Sequence, residues 1–151
     1  MIDFFQAVTS NDILVITAIA WASAQCLKVF LGVIREKKFN FKWFIGTGGM
    51  PSSHAAGATA LAMSCGLKMG FDSVFFALAT VFAVVTMFDA QGVRRSTGQQ
   101  AGILNQIMDD LYWKGKIESE RLIELIGHTP IQVLIGSIIG LLIAASLYPL
   151  H

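Results

Sequence analysis

Four long stretches of this chain contain no Asp, Glu, Lys or Arg: residues 13–27, 43–67, 73–88 and 129–151. A helix needs about 20 mostly apolar residues, within a range of about 17–25, to cross a bilayer. Inside lipid only helices and closed barrels satisfy their own backbone polar groups. Charged residues make up 14% of the chain, against about 25% in soluble domains, and the mean hydropathy is +0.63. These features predict an all-α fold: a small multi-pass transmembrane helical bundle. One domain over residues 1–151 is expected, with about four spanning helices plus an amphipathic interfacial insertion. The second and third stretches become short once their loops are removed, a deficit that snorkelling by Lys68 and local thinning can cover.

The formal net charge of +1 points to no nucleic-acid partner. The first ten residues carry Asp3 and no Lys or Arg, so the basic region of a cleavable signal peptide is missing and the first helix is expected to be an uncleaved anchor. Cys26 and Cys65 fall in mid-helix without CxxC spacing and read as small hydrophobes.

Local signals divide the chain further. Asn11 is placed to cap a first helix ending near Ile34, and a basic, aromatic loop containing Phe39, Phe41, Trp43 and Phe44 follows. A second helix starts near Ser52 and ends near Lys68. Gly70, Phe71 and Asp72 form a turn, and a third helix runs from about Ser73 to Asp89. Gly92 and Gly98 punctuate a basic segment. Ile103, Leu104, Ile107, Met108, Leu111 and Tyr112 then recur at helical spacing with Asn105, Asp109 and Asp110 between them, which predicts an interfacial amphipathic helix. Gly115 ends it, and Ser119 can cap a short second helix closed by Gly127. Thr129 as N-cap and Pro130 at the first helical position open the last helix, which runs to about Tyr148.

The run Thr47-Gly-Gly-Met-Pro-Ser-Ser-His-Ala-Ala-Gly57 carries the clearest chemistry. Two glycines free the backbone for close approach, and a proline and two hydroxyls open an apolar helix with His54 in its first turn. Helix N-termini attract phosphate, and a histidine there can protonate a departing oxygen. Alternating crossings put the end of helix one, the start of helix two, the end of helix three and the start of the last helix on one membrane face. That topology gathers Lys28, Arg35, Ser52, Ser53, His54, Arg94, Arg95 and His128. Lys28 and Arg35 are two turns apart on one helix face. Lys28 lies inside the apolar run, where a charge is a functional hypothesis by default. Asp89 can pair with an arginine or orient a histidine.

These residues resemble the type-2 phosphatidic acid phosphatase superfamily, whose motifs are K-x6-R-P, P-S-G-H and S-R-x5-H-x3-D. Lys28-x6-Arg35 matches the first, with Glu36 in place of proline. Pro51-Ser-Ser-His54 matches the second, with Ser53 in place of glycine. The third is split: its histidine resembles His128, and its arginine Arg94 or Arg95 before the amphipathic insertion. GGMPSSH, DAQGVRR and GHTP together look like the divergent branch of that superfamily, over roughly residues 13–142. The resemblance implies catalysis by His128 as a phosphohistidine-forming nucleophile and His54 as proton donor. Lys28, Arg35, Ser52, Ser53 and Arg94 or Arg95 would bind the phosphoryl oxygens, with no metal and no cofactor. The family's Asp, four residues after the nucleophile, is Gln132 here. An amide can orient the imidazole but cannot stabilise its cation by charge.

The implied function is metal-independent hydrolysis of a lipid-linked phosphate or pyrophosphate. The alternative is a non-catalytic membrane module that binds phosphorylated lipid for sensing, scaffolding or transport. Of the eleven Lys and Arg residues, all except Lys68 fall on the face of the gathered residues. The positive-inside rule therefore predicts that this face is cytoplasmic in a bacterial-type inner membrane. The small number of helices leaves a homodimer open.

Overall fold

The computed structural model describes residues 3–37, 49–112 and 127–148, with backbone alone at 93–95 and 109–112. Among these residues the chain forms helices and no strand: α1 (Phe4–Thr9), α2 (Asp12–Glu36), α3 (Ser53–Met69), α4 (Val74–Gln91), α5 (Val93–Tyr112) and α6 (Pro130–Leu147). The four long apolar helices begin where short polar side chains can take up an orphan backbone N–H. Asn11 accepts from Leu14 N at 3.2 Å, Ser52 from Ala55 N at 3.3 Å, Ser73 from Phe76 N at 3.2 Å and Thr129 from Gln132 N at 3.4 Å.

Two elements differ from the sequence expectation. Phe4–Thr9 forms a short helix with Phe4 and Phe5 exposed. The amphipathic helix begins at Val93 rather than near Ile103 and runs through Gly98; an isolated glycine is tolerated in a helix at a cost of about 1 kcal/mol relative to alanine. It follows α4 after a break at Gly92 alone, and exposes Ile103, Leu104 and Ile107 while burying Ala101 and Asn105. The aromatic loop after α2 and the predicted short helix from Ser119 lie outside the described residues.

Among the described residues, three helical runs are long and apolar enough to cross a bilayer: Asp12–Glu36, Val74–Met108 and Pro130–Leu147. α3, with 17 residues, sits at the short end of the spanning range. It packs against α2, α4 and α6, so most of its surface never meets lipid. Small residues replace large apolar ones on that surface, which is why its composition reads as weakly hydrophobic.

The core is built from small side chains. Ala58, Ala62 and Cys65 of α3 meet Ala79 and Ala83 of α4. Ala60 meets Ile16 and Ala20 of α2 and Ala144 of α6, and Ala55 meets Ala90 and Val133. Lipid is as apolar as leucine, so helices in a membrane gain by close van der Waals approach, which small residues permit. The α3–α6 contact is the tightest. A Cβ on Gly136 would strike the Ser52 carbonyl oxygen, and one on Gly140 would strike the Ala56 carbonyl oxygen and Thr59 Oγ1. Thr59 Oγ1 donates within its own helix to Ala55 O at 2.7 Å and also lies 3.2 Å from Ser137 O across the contact.

α3 and α6 start at the same end of the bundle and run away from it, while α2 and α4 run toward it. At the far end Lys68 Nζ pairs with Asp12 Oδ2 at 2.9 Å, joining the end of α3 to the start of α2.

Because the nearest atoms facing Gly136 and Gly140 are backbone carbonyl oxygens, they cannot step aside for a side chain. Gly140→Val is expected to destabilise the bundle by ~3 kcal/mol or more, the upper part of the range for overpacking. Gly57→Ala, whose Cβ would make ordinary contact with Trp21 at 3.5 Å, is expected to be tolerated. Unfolding midpoints in detergent micelles check the contrast.

Candidate phosphate site

The start of α3 is held to the start of α6 by backbone. Ser52 N donates to Gln132 O at 3.0 Å, and His128 N donates to Ala90 O at the end of α4, also at 3.0 Å. These bonds bring the rings of His54 and His128 to a centroid separation of 6.2 Å, tilted by 58°. Two histidines 74 positions apart in sequence therefore face one another across a gap that one small anion can span.

His128 is 2% exposed. Its Nδ1 lies 3.3 Å from Gln132 Oε1, and the same oxygen accepts from Thr129 N at 3.0 Å while Thr129 Oγ1 accepts from Gln132 N. This reciprocal pair is a capping box, and it favours the imidazole tautomer protonated at Nδ1. Only an amide oxygen can accept from the Thr129 N–H, so oxygen, not nitrogen, faces the ring. An oxygen acceptor requires that Nδ1 carry the proton. Nε2 is left with a lone pair, buried and with no hydrogen-bond partner among the described residues.

Burial pushes the His128 pKa below the ordinary imidazole value, and the positive charge of Lys28 and the nearby His54 act in the same direction. The Gln132 hydrogen bond and the Gly49 backbone oppose them. The net shift favours a neutral ring at neutral pH, the state in which Nε2 can attack phosphorus.

Lys28 of α2 is 8% exposed, with Nζ donating to Gln25 Oε1 at 2.9 Å. Its aliphatic stem lies along the motif loop: a Cβ on Gly49 would sit 3.4 Å from Lys28 Cγ and 3.5 Å from Cδ. Gly49 adopts φ +84°, a left-handed conformation that favours glycine. Among the described residues no carboxylate forms an ion pair with Lys28, and the Lys68–Asp12 pair is at the opposite end. A buried ammonium without a counter-ion is costly in protein or lipid, and an anionic ligand would offset that cost.

Ser52 and Ser53 are buried at the N-terminus of α3. Asp89 is half-buried in the last turn of α4, next to the Ala90 carbonyl that receives His128 N–H. Arg35 lies exposed in the last turn of α2. Sharing a helix face with Lys28 does not give it the same burial, because two further turns carry it roughly 10 Å along the axis. Arg94 and Arg95 lie in the first turn of α5, and their side chains are outside the described residues. Gln25 was not singled out by sequence reasoning. Its signal was present: a long amide inside an uncharged run, three residues before the embedded lysine.

A cleft of about 380 Å³ opens between α2, α3 and α4, lined by Leu14, Trp21, Gly57, Phe82 and Thr86 among others, with His54 at its end nearest the two-histidine cluster. Its walls are almost wholly apolar. It runs from His54 away from the site, to the depth where the bilayer's hydrocarbon would lie.

The fold is a helical membrane bundle with two histidines at helix starts and a buried lysine near one end. Residues 9–143 match the family described as the divergent PAP2 family, and the chain belongs to it. It is 41% identical over 131 residues to the uncharacterized membrane protein YuiD of Bacillus subtilis (strain 168), a match covering 80% of this chain and 83% of that protein. No solved structure matches the chain.

The depressed pKa of His128 has a consequence for stability. The unfolded chain binds a proton at this residue more readily than the folded one, so stability rises with pH wherever that difference holds. The contribution is fully present above the ordinary value of 6.5 and is lost as pH falls from there toward the lower folded value. The thermal midpoint in detergent is expected to drop over that interval, and His128→Asn is expected to flatten the profile.

Proposed function

We propose that the chain hydrolyses a lipid-linked phosphate through a phosphohistidine at His128. The observation that supports this most is the tautomer imposed by Gln132, which presents a bare Nε2 beside His54 and the Lys28 cation. In the proposed first step His128 Nε2 attacks phosphorus and the P–O bond to the alcohol breaks. His54 gives its proton to the leaving oxygen. In the second step His54 takes a proton from water, water oxygen attacks phosphorus, the P–N bond breaks and inorganic phosphate leaves. Lys28, the N-terminus of α3 through Ser52 and Ser53, and the arginines at 35, 94 and 95 are assigned to the phosphoryl oxygens, where negative charge spreads in the transition state.

A lipid substrate is favoured over a free phosphate ester by the apolar cleft that starts at His54 and descends into the bilayer. A hydrocarbon chain lying there would present its head group at the histidines. The distribution of Lys and Arg along the sequence, read by the positive-inside rule, supports a cytoplasmic orientation of the site.

One observation favours a second reading, binding without turnover. Gln132 carries no charge, so the imidazolium-like product of the first step lacks the carboxylate that would stabilise it.

Phosphate release from a panel of lipid phosphates and pyrophosphates, in detergent and with chelator present, separates the two. Turnover by the wild type is expected, with His128→Ala at background and His54→Ala reduced by about 10²–10⁴-fold. Acid-labile phosphoprotein should form on the wild type and not on His128→Ala. Equal, negligible release from wild type and His128→Ala, with lipid phosphate still bound by both, selects the binding reading.

A further inference from the structure

We propose that Gln25 is a positioning residue that holds the Lys28 ammonium toward the bound anion while leaving its charge intact. The inference rests on the reading of this end of the bundle as a phosphate site and adds a group that the motif residues do not include.

The buried face of α2 is otherwise economical. Ala20 and Ala24 are fully buried there, and Ile16 and Val29 nearly so. Gln25 breaks this pattern, being 5% exposed with a long polar side chain in a helix long and apolar enough to cross a bilayer. A buried amide is costly unless it is hydrogen-bonded. Gln25 meets that requirement by spending its oxygen on Lys28 Nζ at 2.9 Å, one helical turn along the same face.

The chemistry of the acceptor matters. A carboxylate in this position would form a buried ion pair and cancel the field of Lys28 at the histidines. An amide oxygen satisfies one of the three ammonium N–H groups and carries no net charge. Two donors and the full positive charge stay available for phosphoryl oxygens. The lysine is thus held in two places: its head by Gln25 and its stem by the backbone at Gly49, 3.4–3.5 Å from where a Cβ would stand. Gln25 itself need not touch the anion. Its effect is to remove the rotamer freedom of a four-carbon side chain before the ligand arrives.

The test uses the full-length protein in detergent and orthovanadate as the phosphate mimic, with affinity measured from about pH 8 down to about pH 5. Gln25→Glu keeps the shape and the acceptor and adds only charge. It is expected to weaken vanadate binding by about tenfold to a hundredfold near neutral pH, the loss of a charge-assisted hydrogen bond. Relative to wild type, its affinity should recover as the new carboxyl is protonated at low pH. Gln25→Met removes the acceptor at similar volume and should weaken binding at every pH without recovery. Lys28→Met should bind least.

A Gln25→Glu protein that folds and binds vanadate like the wild type across the range overturns the proposal. So does a loss in that variant that is indifferent to pH, which marks a packing role. If Gln25→Glu does not fold, Gln25→Met decides: wild-type affinity in that variant, with its unfolding midpoint retained, overturns the proposal. Absence of vanadate binding by the wild type itself overturns the phosphate-site reading and this inference with it, whereas wild-type binding with indifferent Gln25 variants removes this inference alone.

Discussion

The contact between α3 and α6 is the constraint on which the rest of the structure depends. Gly136 and Gly140 let two helix backbones approach until carbonyl oxygens of α3 occupy the space of absent side chains. The approach fixes the relative height of the helices, and the Ser52 N–H to Gln132 carbonyl bond reads out that height at their starts. His54 is two residues past Ser52, and His128 is four before Gln132. The separation of the two rings therefore follows from helix packing deep in the bundle. Small residues on α3 serve the same end, since Ala55, Ala56, Ala58 and Ala60 allow three neighbours to crowd one short helix at once.

Electrostatics at the gathered end are asymmetric. The described polar groups at the histidines include a cation, two neutral amides and two hydroxyls, and a carboxylate at the same end, Asp89, is half-buried in the last turn of α4. Lys28 is paired with Gln25 and His128 with Gln132. Each amide orients a nitrogen without giving it a counter-charge. The field is left positive in a poorly screened environment, where one anion interacts more strongly than it would in water. The same field helps keep His128 neutral, so under the proposed function the attraction of phosphate and the nucleophilicity of the imidazole would come from one arrangement.

Much of this was legible in the sequence because it is local. Asn11, Ser52, Ser73 and Thr129 announce helix starts through chemistry that acts over three residues, and the structure uses all four as caps. Counting crossings was enough to gather residues 28, 52–54, 89 and 128 at one end, since each apolar crossing carries the chain to the other face. The remainder depended on depth and packing. Glycine spacing at 136 and 140 does not say which helix it faces. Gly98 reads as punctuation, yet a helix carries it. Arg35 and Lys28 are equivalent in angle, but Lys28 is buried against the motif loop at Gly49, whereas Arg35, two turns further along, is exposed. Gln25 was hidden for the opposite reason, because hydropathy counts it as one polar residue among many apolar ones and is blind to a partner one turn away.

Gln132, standing where the resemblance to the type-2 phosphatase motif leads one to expect aspartate, takes on a different meaning once the capping box is in view. A side chain at the third helical position reaches the N-cap N–H best when it has the length of Glu or Gln. Asp is one methylene shorter. Gln132 uses that length to accept from Thr129 N and His128 Nδ1 with a single oxygen, so the cap of α6 and the tautomer of His128 become one structure. A carboxylate would stabilise the imidazolium more strongly, but it would also raise the His128 pKa and bring a negative charge to the ring that is proposed to carry the phosphoryl group. The amide gives up transition-state charge stabilisation and in return keeps the ring neutral and the local potential positive. That exchange suits the proposed site, in which an embedded ammonium would have to draw a phosphate from water to the surface of a bilayer before the nucleophile could act.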